Sequence, residues 1–444
     1  MGYVFGGAEA RRFPIATFSI VLANVAIYLL TSFENSLLGT ATRYVYRYGF
    51  IPALLLSPEG LARVFTSMFI HADLFHIMFN MYFLYVFGRG VEGLLGSARF
   101  LALYLLSGVG ATLFHTASTP VVGLESIAIP AVGASGAISG VLGAYMMFFP
   151  GTSLIACFPI FFFPACFTLR ASAYLAFWFV TQIVYGYVRI GGIAFFAHAG
   201  GFIAGVTLAW ALGLSRVREL KFARSFLGFF RYIVFKVHGE GLGTFIKAVL
   251  VVLIVFTAVT LGYYASNLGE HTIGIYQGYL RVNGVSDIVL LKVLANGSYD
   301  LSESQYTNVN IVLTRLSKIG FLVNRSYSGR VIDTSQNPLG GVVTLRIALA
   351  GYLEIEEAVP VAVYAKAMYD DAGVLVRGEG SIVTQVVVVR AYRVEKIPMT
   401  YSFSYSATGP YETEPIRIAA IPSVVLSLAS AYVIARKDQE LSVG

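Results

Sequence analysis

The chain has 444 residues, 57% of them hydrophobic and 12% charged, with a mean hydropathy of +0.73 and a formal net charge of +7. Soluble globular domains carry about 25% charged residues, so a single water-soluble globule is excluded. Lys and Arg gather in short loops between apolar runs, a pattern that orients membrane helices; it does not form a phosphate-binding surface, and no nucleic-acid partner is expected.

The first apolar run, residues 14–33, follows Arg11 and Arg12. It is too long for the hydrophobic part of a signal peptide and ends without a small-residue cleavage site, so a retained first helix is expected. A loop with Pro52, Pro58 and Arg63 leads to a second run over 73–88, whose far end carries Arg89, Glu92 and Arg99. The third run covers 100–118. The fourth starts at Ser135 and closes at Phe149-Pro150, short for a spanning helix, and a short helix at a loop mouth leaves room for water. Cys157 and Cys166, the only cysteines, then fall in an aromatic, apolar stretch, from which no disulfide framework is expected. A fifth run (171–187) and a sixth (195–213) precede a basic linker, 214–245, with Arg216, Arg218, Lys221, Arg224, Arg231 and Lys236. The seventh run covers 246–266, and the eighth, 416–435, ends in Arg436 and Lys437.

The basic clusters agree on one topology, with both termini cytoplasmic and Ser135, His76 and His198 toward the outer face of a cell membrane. Residues 267–415 differ in composition: acidic and basic residues nearly balance, and β-branched or alternating runs appear at Val342–Ala348, Val359–Ala365 and Ser381–Val389. Turn signals at Asn296-Gly297, Ser328-Gly329 and Asp371-Ala372-Gly373 punctuate them, which predicts an extracytoplasmic β-rich domain, most simply a sandwich. Asn296-Gly-Ser298 and Asn324-Arg-Ser326 in this domain are glycosylation sequons. The expected fold class is thus an α-helical polytopic membrane protein: a six-helix core over 1–213, the basic linker, and two further spanning helices flanking the β-rich domain, the last followed by a short tail to residue 444.

Polar groups inside membrane helices cost free energy, roughly 2.5 to 3.5 kcal/mol for a central charge, so they are functional candidates. Ser135 stands in Gly133-Ala-Ser-Gly136 at the start of the fourth run, where Gly133 and Gly136 are expected to serve helix packing as small neighbours that let another helix or a substrate backbone come close, and His198 stands in Ala197-His-Ala-Gly-Gly201 on the sixth. A serine hydroxyl is a poor nucleophile until a base takes its proton, and histidine is suited to that near neutral pH. Gly136-x-x-x-Gly140 and Gly201-x-x-x-Gly205 are matching small-residue faces whose close approach would bring the two side chains within hydrogen-bond reach. His76 and Asn80, four apart on one helical face, could donate to a developing oxyanion together with the Ser135 amide. The bland alternatives are helix packing for the serine and the glycines and interhelical hydrogen bonding for His76 and Asn80. Asp73 suits a helix N-cap better than a third catalytic group. His71, His76 and His198 make a poor ligand trio because His71 and His76, five apart, do not share a helical face and no carboxylate motif accompanies them; no metal is expected. His115, His238 and His271 have no nameable partners.

The order His71-Ala-Asp-Leu-Phe-His76-Ile-Met-Phe-Asn80, Gly133-Ala-Ser135-Gly136 and Ala197-His198-Ala-Gly-Gly201 with Gly205 resembles that of the rhomboid family of intramembrane serine proteases, over about residues 14–213. The stretch Gly88–Arg99 running on to Gly108, and Pro164 followed by Trp178 and Gln182, are similar as well. The resemblance implies a Ser135–His198 dyad without an acidic third member and an oxyanion hole of His76, Asn80 and the Ser135 amide. It implies as substrates single-pass membrane proteins, cut in or near the lipid bilayer where their helix unwinds, and it implies no cofactor. Two positions depart: the family's Trp-Arg pair in the first loop appears as Ala62-Arg63, and the aromatic that some members place one turn after the nucleophile appears as Ser139. The competing function is a non-catalytic relative that binds and escorts membrane helices; the intact serine, histidine and oxyanion pair favour the enzyme. A protein partner for 267–415 is a further expectation.

Overall fold

In a computed structural model of the full chain, residues 3–5, 13–160, 163–189, 192–231, 241–268, 272–294, 296–302, 304, 306–348, 354–390 and 393–443 are described. They fall into two compact units. One comprises residues up to 268 together with 413–444, and the other residues 269–412. Arg11, Arg12, Lys236, His238 and His271 lie outside the described residues.

The first unit holds helices α1 (Ile15–Ser32), α2 (Thr42–Tyr48), α3 (Pro58–Thr66), α4 (Leu74–Leu95), α5 (Ser97–Ala117), α6 (Thr119–Val122), α7 (Ser135–Phe148), α8 (Ala171–Val188), α9 (Phe195–Arg231) and α10 (Thr244–Ser266). Among the described residues, six of the unit's helices, counting the C-terminal one, are long and apolar enough to cross a membrane. Each of the eight apolar runs is helical; α4 and α7 are the two outside that six, α7 being only 14 residues long. The chain is an integral membrane protein with an α-helical polytopic core. Large apolar side chains such as Leu22, Leu30, Phe177, Val252 and Val259 are left bare on the outer helix faces, where hydrocarbon is the expected solvent.

Burial separates centre from periphery. Residues 137–148 of α7 are buried all round, with α4, α5, α8 and α9 packed on them. For α9 61% of the most apolar window is buried, against 28% for α10, so α10 sits at the edge, packed on α8 and the C-terminal helix. The basic stretch after the sixth run is continuous helix with it as far as Arg231.

Glu92 near the end of α4 is 3% exposed and accepts hydrogen bonds from the N–H groups of Ala16 and Thr17 (both 2.8 Å), the Thr17 hydroxyl (2.7 Å) and the Ser97 hydroxyl (2.6 Å). A carboxylate is thereby placed at the start of α1, where orphan amides and the helix dipole favour negative charge.

Strands β1 (Tyr3–Phe5), β2 (Ser153–Ile160) and β3 (Phe163–Arg170) form a small antiparallel sheet in the order β1-β2-β3. Cys166 on β3 is disulfide-bonded, and its register partner on β2 is Cys157. This corrects the expectation of no disulfide framework: β2 and β3 pair antiparallel in a register that sets position 157 opposite 166.

The second unit contains β4 (Thr272–Val282), β5 (Val285–Leu294), β6 (Tyr299–Leu301), α11 (Thr307–Lys318), β7 (Val331–Asp333), β8 (Leu339–Ala348), β9 (Glu354–Tyr369), β10 (Leu375–Arg390) and β11 (Arg393–Tyr411). The strands make one antiparallel sheet of eight, ordered β6-β5-β4-β11-β10-β9-β7 with β8 also on β9. The expected two-sheet sandwich is therefore not what forms. Val309, Val312, Leu313 and Leu316, spaced for one face of α11, are buried in the same cluster as Val282, Val361, Val363, Ile382, Tyr401 and Phe403 of the sheet. An amphipathic helix takes the place of a second sheet. In both sequons the Asn Oδ1 accepts from the following Ser amide and hydroxyl, at 2.9 and 2.7 Å for Asn296 and 3.0 and 2.7 Å for Asn324. After Tyr411 the chain re-enters the first unit through α12 (Glu414–Arg436) and α13 (Asp438–Leu441). There α12 packs on α5, α9 and α10, and the Asp438 carboxylate accepts from the Leu242 amide and Lys247, both at 2.8 Å.

Candidate active site

Ser135 is the first residue of α7, so its amide is among the N-terminal N–H groups that the helix itself leaves free, at the positive end of the helix dipole. The helix is brought against α9 by the predicted glycine faces. A Cβ on Gly201 would lie 2.0 Å from the Gly136 carbonyl oxygen, and one on Gly205 2.0 Å from that of Gly140. Backbones that close leave no room for a methyl group. At the mouth of this contact the Ser135 Oγ lies 2.8 Å from His198 Nε2. The other ring nitrogen, Nδ1, lies 2.9 Å from Gln182 Oε1 on α8. Trp178 packs near the imidazole with ring centres 6.2 Å apart, and Phe195 meets it edge-on at 6.4 Å. Aromatic support for the histidine thus comes from α8 and α9, while Ser139, one turn below the serine, donates to the Ser135 carbonyl at 2.6 Å.

Gly133 differs from the helix-packing role expected of it. It precedes α7, has φ +118°, and a Cβ there would fall 2.6 Å from His76 Nε2 and 3.6 Å from Ser135 Oγ. Its missing side chain keeps open the space between those two atoms. His76 Nδ1 is approached by the Ala72 amide at 3.4 Å, which makes Nδ1 the acceptor and leaves the neutral ring's proton on Nε2, facing that space. Asp73 caps α4 by accepting from the His76 amide at 2.8 Å. Asn80, 7% exposed, spends one amide N–H on the His76 carbonyl of its own helix at 2.9 Å. Asn80 is thus next to the site, with this donor still turned to its helix. His71 faces the Ala134 amide through Nε2 at 3.4 Å. Among the described residues no group of three His, Cys, Asp or Glu side chains is placed to hold a metal ion.

A cavity of about 50 Å³ adjoins Ser135, lined among others by Met68, Gly108, His115, Gly133 and Ala197. Arg63, the retained half of the Trp-Arg pair, is 9% exposed and bonds the Tyr46 and Gly49 carbonyls (2.7 and 3.1 Å) and Glu59 (2.7 Å), tying down the loop between α1 and α4.

Residues 58–215 match the sequence profile described as Rhomboid domain. Residues 58–215 are a rhomboid domain. It is 30% identical to Rhomboid protein 1, mitochondrial, of Saccharomyces cerevisiae over 168 residues, which is 36% of this chain and 45% of the yeast protein. It is 35% identical to the human Presenilin-associated rhomboid-like protein, mitochondrial, over 153 residues, 34% of this chain and 38% of that one. The Rhomboid protease GluP of Bacillus subtilis is 28% identical over 133 residues, 30% of this chain and 24% of the relative. The chain spans less than half the length of these three curated relatives. The rhomboid match ends before α10, the sheet unit and α12.

Two polar contacts of this rhomboid unit escape the sequence reading. Gln182 meets the histidine, and Glu92 caps α1. The signal for Gln182 was an amide on an apolar helix one turn from Trp178; for Glu92 it was a carboxylate near a helix end.

Proposed function

We propose that this protein is an intramembrane serine endopeptidase whose nucleophile is Ser135 and whose general base is His198. The observation that carries the proposal is the 2.8 Å contact between Ser135 Oγ and His198 Nε2 beside a small, partly open cavity inside an apolar bundle. The hydroxyl proton moves to Nε2 as Oγ bonds to the scissile carbonyl carbon. The oxyanion that forms is met by the Ser135 amide and His76 Nε2–H, and by Asn80 once its amide turns outward; such donors are worth about 3 to 4 kcal/mol each in a dry site. Collapse breaks the C–N bond, with the proton on Nε2 passing to the leaving amine. Water, with its proton taken by His198, then hydrolyses the Oγ ester.

The substrates are single-pass membrane proteins. A helical peptide bond is shielded and its carbonyl already bonded, so a segment that unwinds readily is the one that is cut. The excess of basic residues around α4–α5 and α9 supports cytoplasmic termini and a site toward the opposite face, with residues 267–415 on that face too. That domain has three roles of equal standing: recruiting substrate, restricting access, or contacting a protein partner. The test is cleavage of a reconstituted membrane substrate by the wild type and by Ser135→Ala. Turnover by the wild type and none by the variant is expected; equal turnover, or none by either, contradicts the proposal and leaves the helix-escort function.

A further inference from the structure

We infer that Gln182 is a third, uncharged member of the site, a positioning residue that holds His198 in the tautomer able to accept the Ser135 proton; this rests on the protease function proposed above. A neutral imidazole has one N–H and one bare nitrogen, and only the tautomer with the proton on Nδ1 leaves Nε2 free to act on Ser135. Nδ1 faces Gln182 Oε1 at 2.9 Å. An amide can be turned over, so what decides its orientation is what the other end touches. Gln182 Nε2 lies 3.3 Å from the Trp178 carbonyl oxygen and 3.2 Å from Thr181 Oγ1. The carbonyl can only accept. The Thr181 hydroxyl spends its single proton on that same carbonyl at 2.6 Å, so toward Gln182 it also accepts.

Both neighbours therefore require the NH2 end. Reversing the amide would set Oε1 against two acceptors and aim a donor at Nδ1, moving the imidazole proton to Nε2 where it would point at the serine. The sequence of fixed donors runs from Gln182 Nε2 to Trp178 and Thr181, from His198 Nδ1 to Gln182 Oε1, and from Ser135 Oγ to His198 Nε2. Gln182 is 7% exposed, so water does not compete for the amide. Among the described residues the titratable side chains that act electrostatically on His198 are His76 on α4 and His115 on α5, and neither is a carboxylate. The imidazolium formed during catalysis thus has a dipole where a serine triad has a charge.

The test compares wild type, Gln182→Met and Gln182→Glu in the full chain, with turnover on a reconstituted substrate, the pH profile of kcat, and the ¹⁵N resonances of the His198 ring. Gln182→Met keeps shape and removes the acceptor. It should lower kcat about 10- to 100-fold at little change in KM, a part of the roughly 10² to 10⁴ that a positioned base contributes, and shift His198 from the Nδ1–H form toward a mixture. Gln182→Glu restores an acceptor and adds charge. It should recover most of the turnover and move the acidic limb of the profile up by about 1 to 3 pH units, because a carboxylate at this distance favours the imidazolium. A Met variant with wild-type kcat and an unchanged tautomer overturns the inference while leaving Ser135 chemistry in place. If the Met variant does not fold, the Glu variant decides: an unmoved acidic limb overturns it. A wild type whose turnover survives Ser135→Ala overturns both the protease function and this role.

Discussion

In the membrane unit α7 and α9 meet backbone to backbone: a Cβ added to Gly201 would sit 2.0 Å from the Gly136 oxygen. In the sheet unit contact is made by bulk, with Phe321, Tyr369, Tyr401 and Phe403 filling the space between α11 and the strands. Lipid tails are as apolar as leucine, so helices in a bilayer gain little from burying large side chains against each other and gain more from close packing and polar contacts. In water the same bulk is what drives folding. The Ser135–His198 contact therefore depends on side chains that are absent, whereas the sheet unit depends on side chains that are present.

Breaking the first kind of contact should have the largest effect. Gly201→Val forces α9 off α7; it is expected to cost about 3 kcal/mol of stability and at least 10²-fold in turnover, since roughly 1 Å of misplacement is enough for that loss. Thermal unfolding and turnover check the pair of effects, and a variant that unfolds normally and cleaves normally would show that the glycine contact does not set the site. Asn80→Ala sharpens the comparison by separating chemistry from packing. As an oxyanion donor Asn80 should cost about 10²-fold in kcat when removed, with the melting temperature nearly unchanged; normal turnover would reduce Asn80 to its bond with the His76 carbonyl.

The smallest effect is expected in the sheet unit. The Tyr276 hydroxyl donates to Asp370 at 2.7 Å, and burial first, then the Asp370 carboxylate, holds the phenol above its ordinary value near 10. The stability this provides is complete below pH 10, where the phenol is protonated folded and unfolded alike, and is lost as pH rises through the raised folded value. Tyr276→Phe should cost about 1 to 2 kcal/mol at neutral pH and flatten the fall of the unfolding midpoint above about pH 10. An alkaline unfolding curve identical to wild type would remove Tyr276 from the account.

The contrast also explains what could be read in advance. Eight apolar runs stand out because hydrocarbon thickness fixes their length, and the spacing of Gly136, Gly140, Gly201 and Gly205 is a local pattern. Ser135 and His198 are rare polar groups against an apolar background. Gln182 went unassigned because its meaning depends on which way an amide is turned, which only Trp178 and Thr181 decide. Glu92 looked like one more charge in a basic loop, since the amides it caps are some 75 residues away in sequence. In the sheet unit the β character was legible from composition, but strand order is set by pairings such as β4 with β11, far apart in the chain. The helical spacing of Val309, Val312, Leu313 and Leu316 was present and was lost among the turn signals around it. Cys157 and Cys166 were visible, but not the register of β2 and β3 that places them opposite each other.

The central claim is that His198 makes the Ser135 hydroxyl nucleophilic inside the bundle. Mass spectrometry of the intact protein after reaction with a fluorophosphonate measures this without any choice of substrate. A single adduct on Ser135 in the wild type, absent from His198→Ala, is predicted; an unlabelled wild type, or equal labelling of the histidine variant, would contradict it.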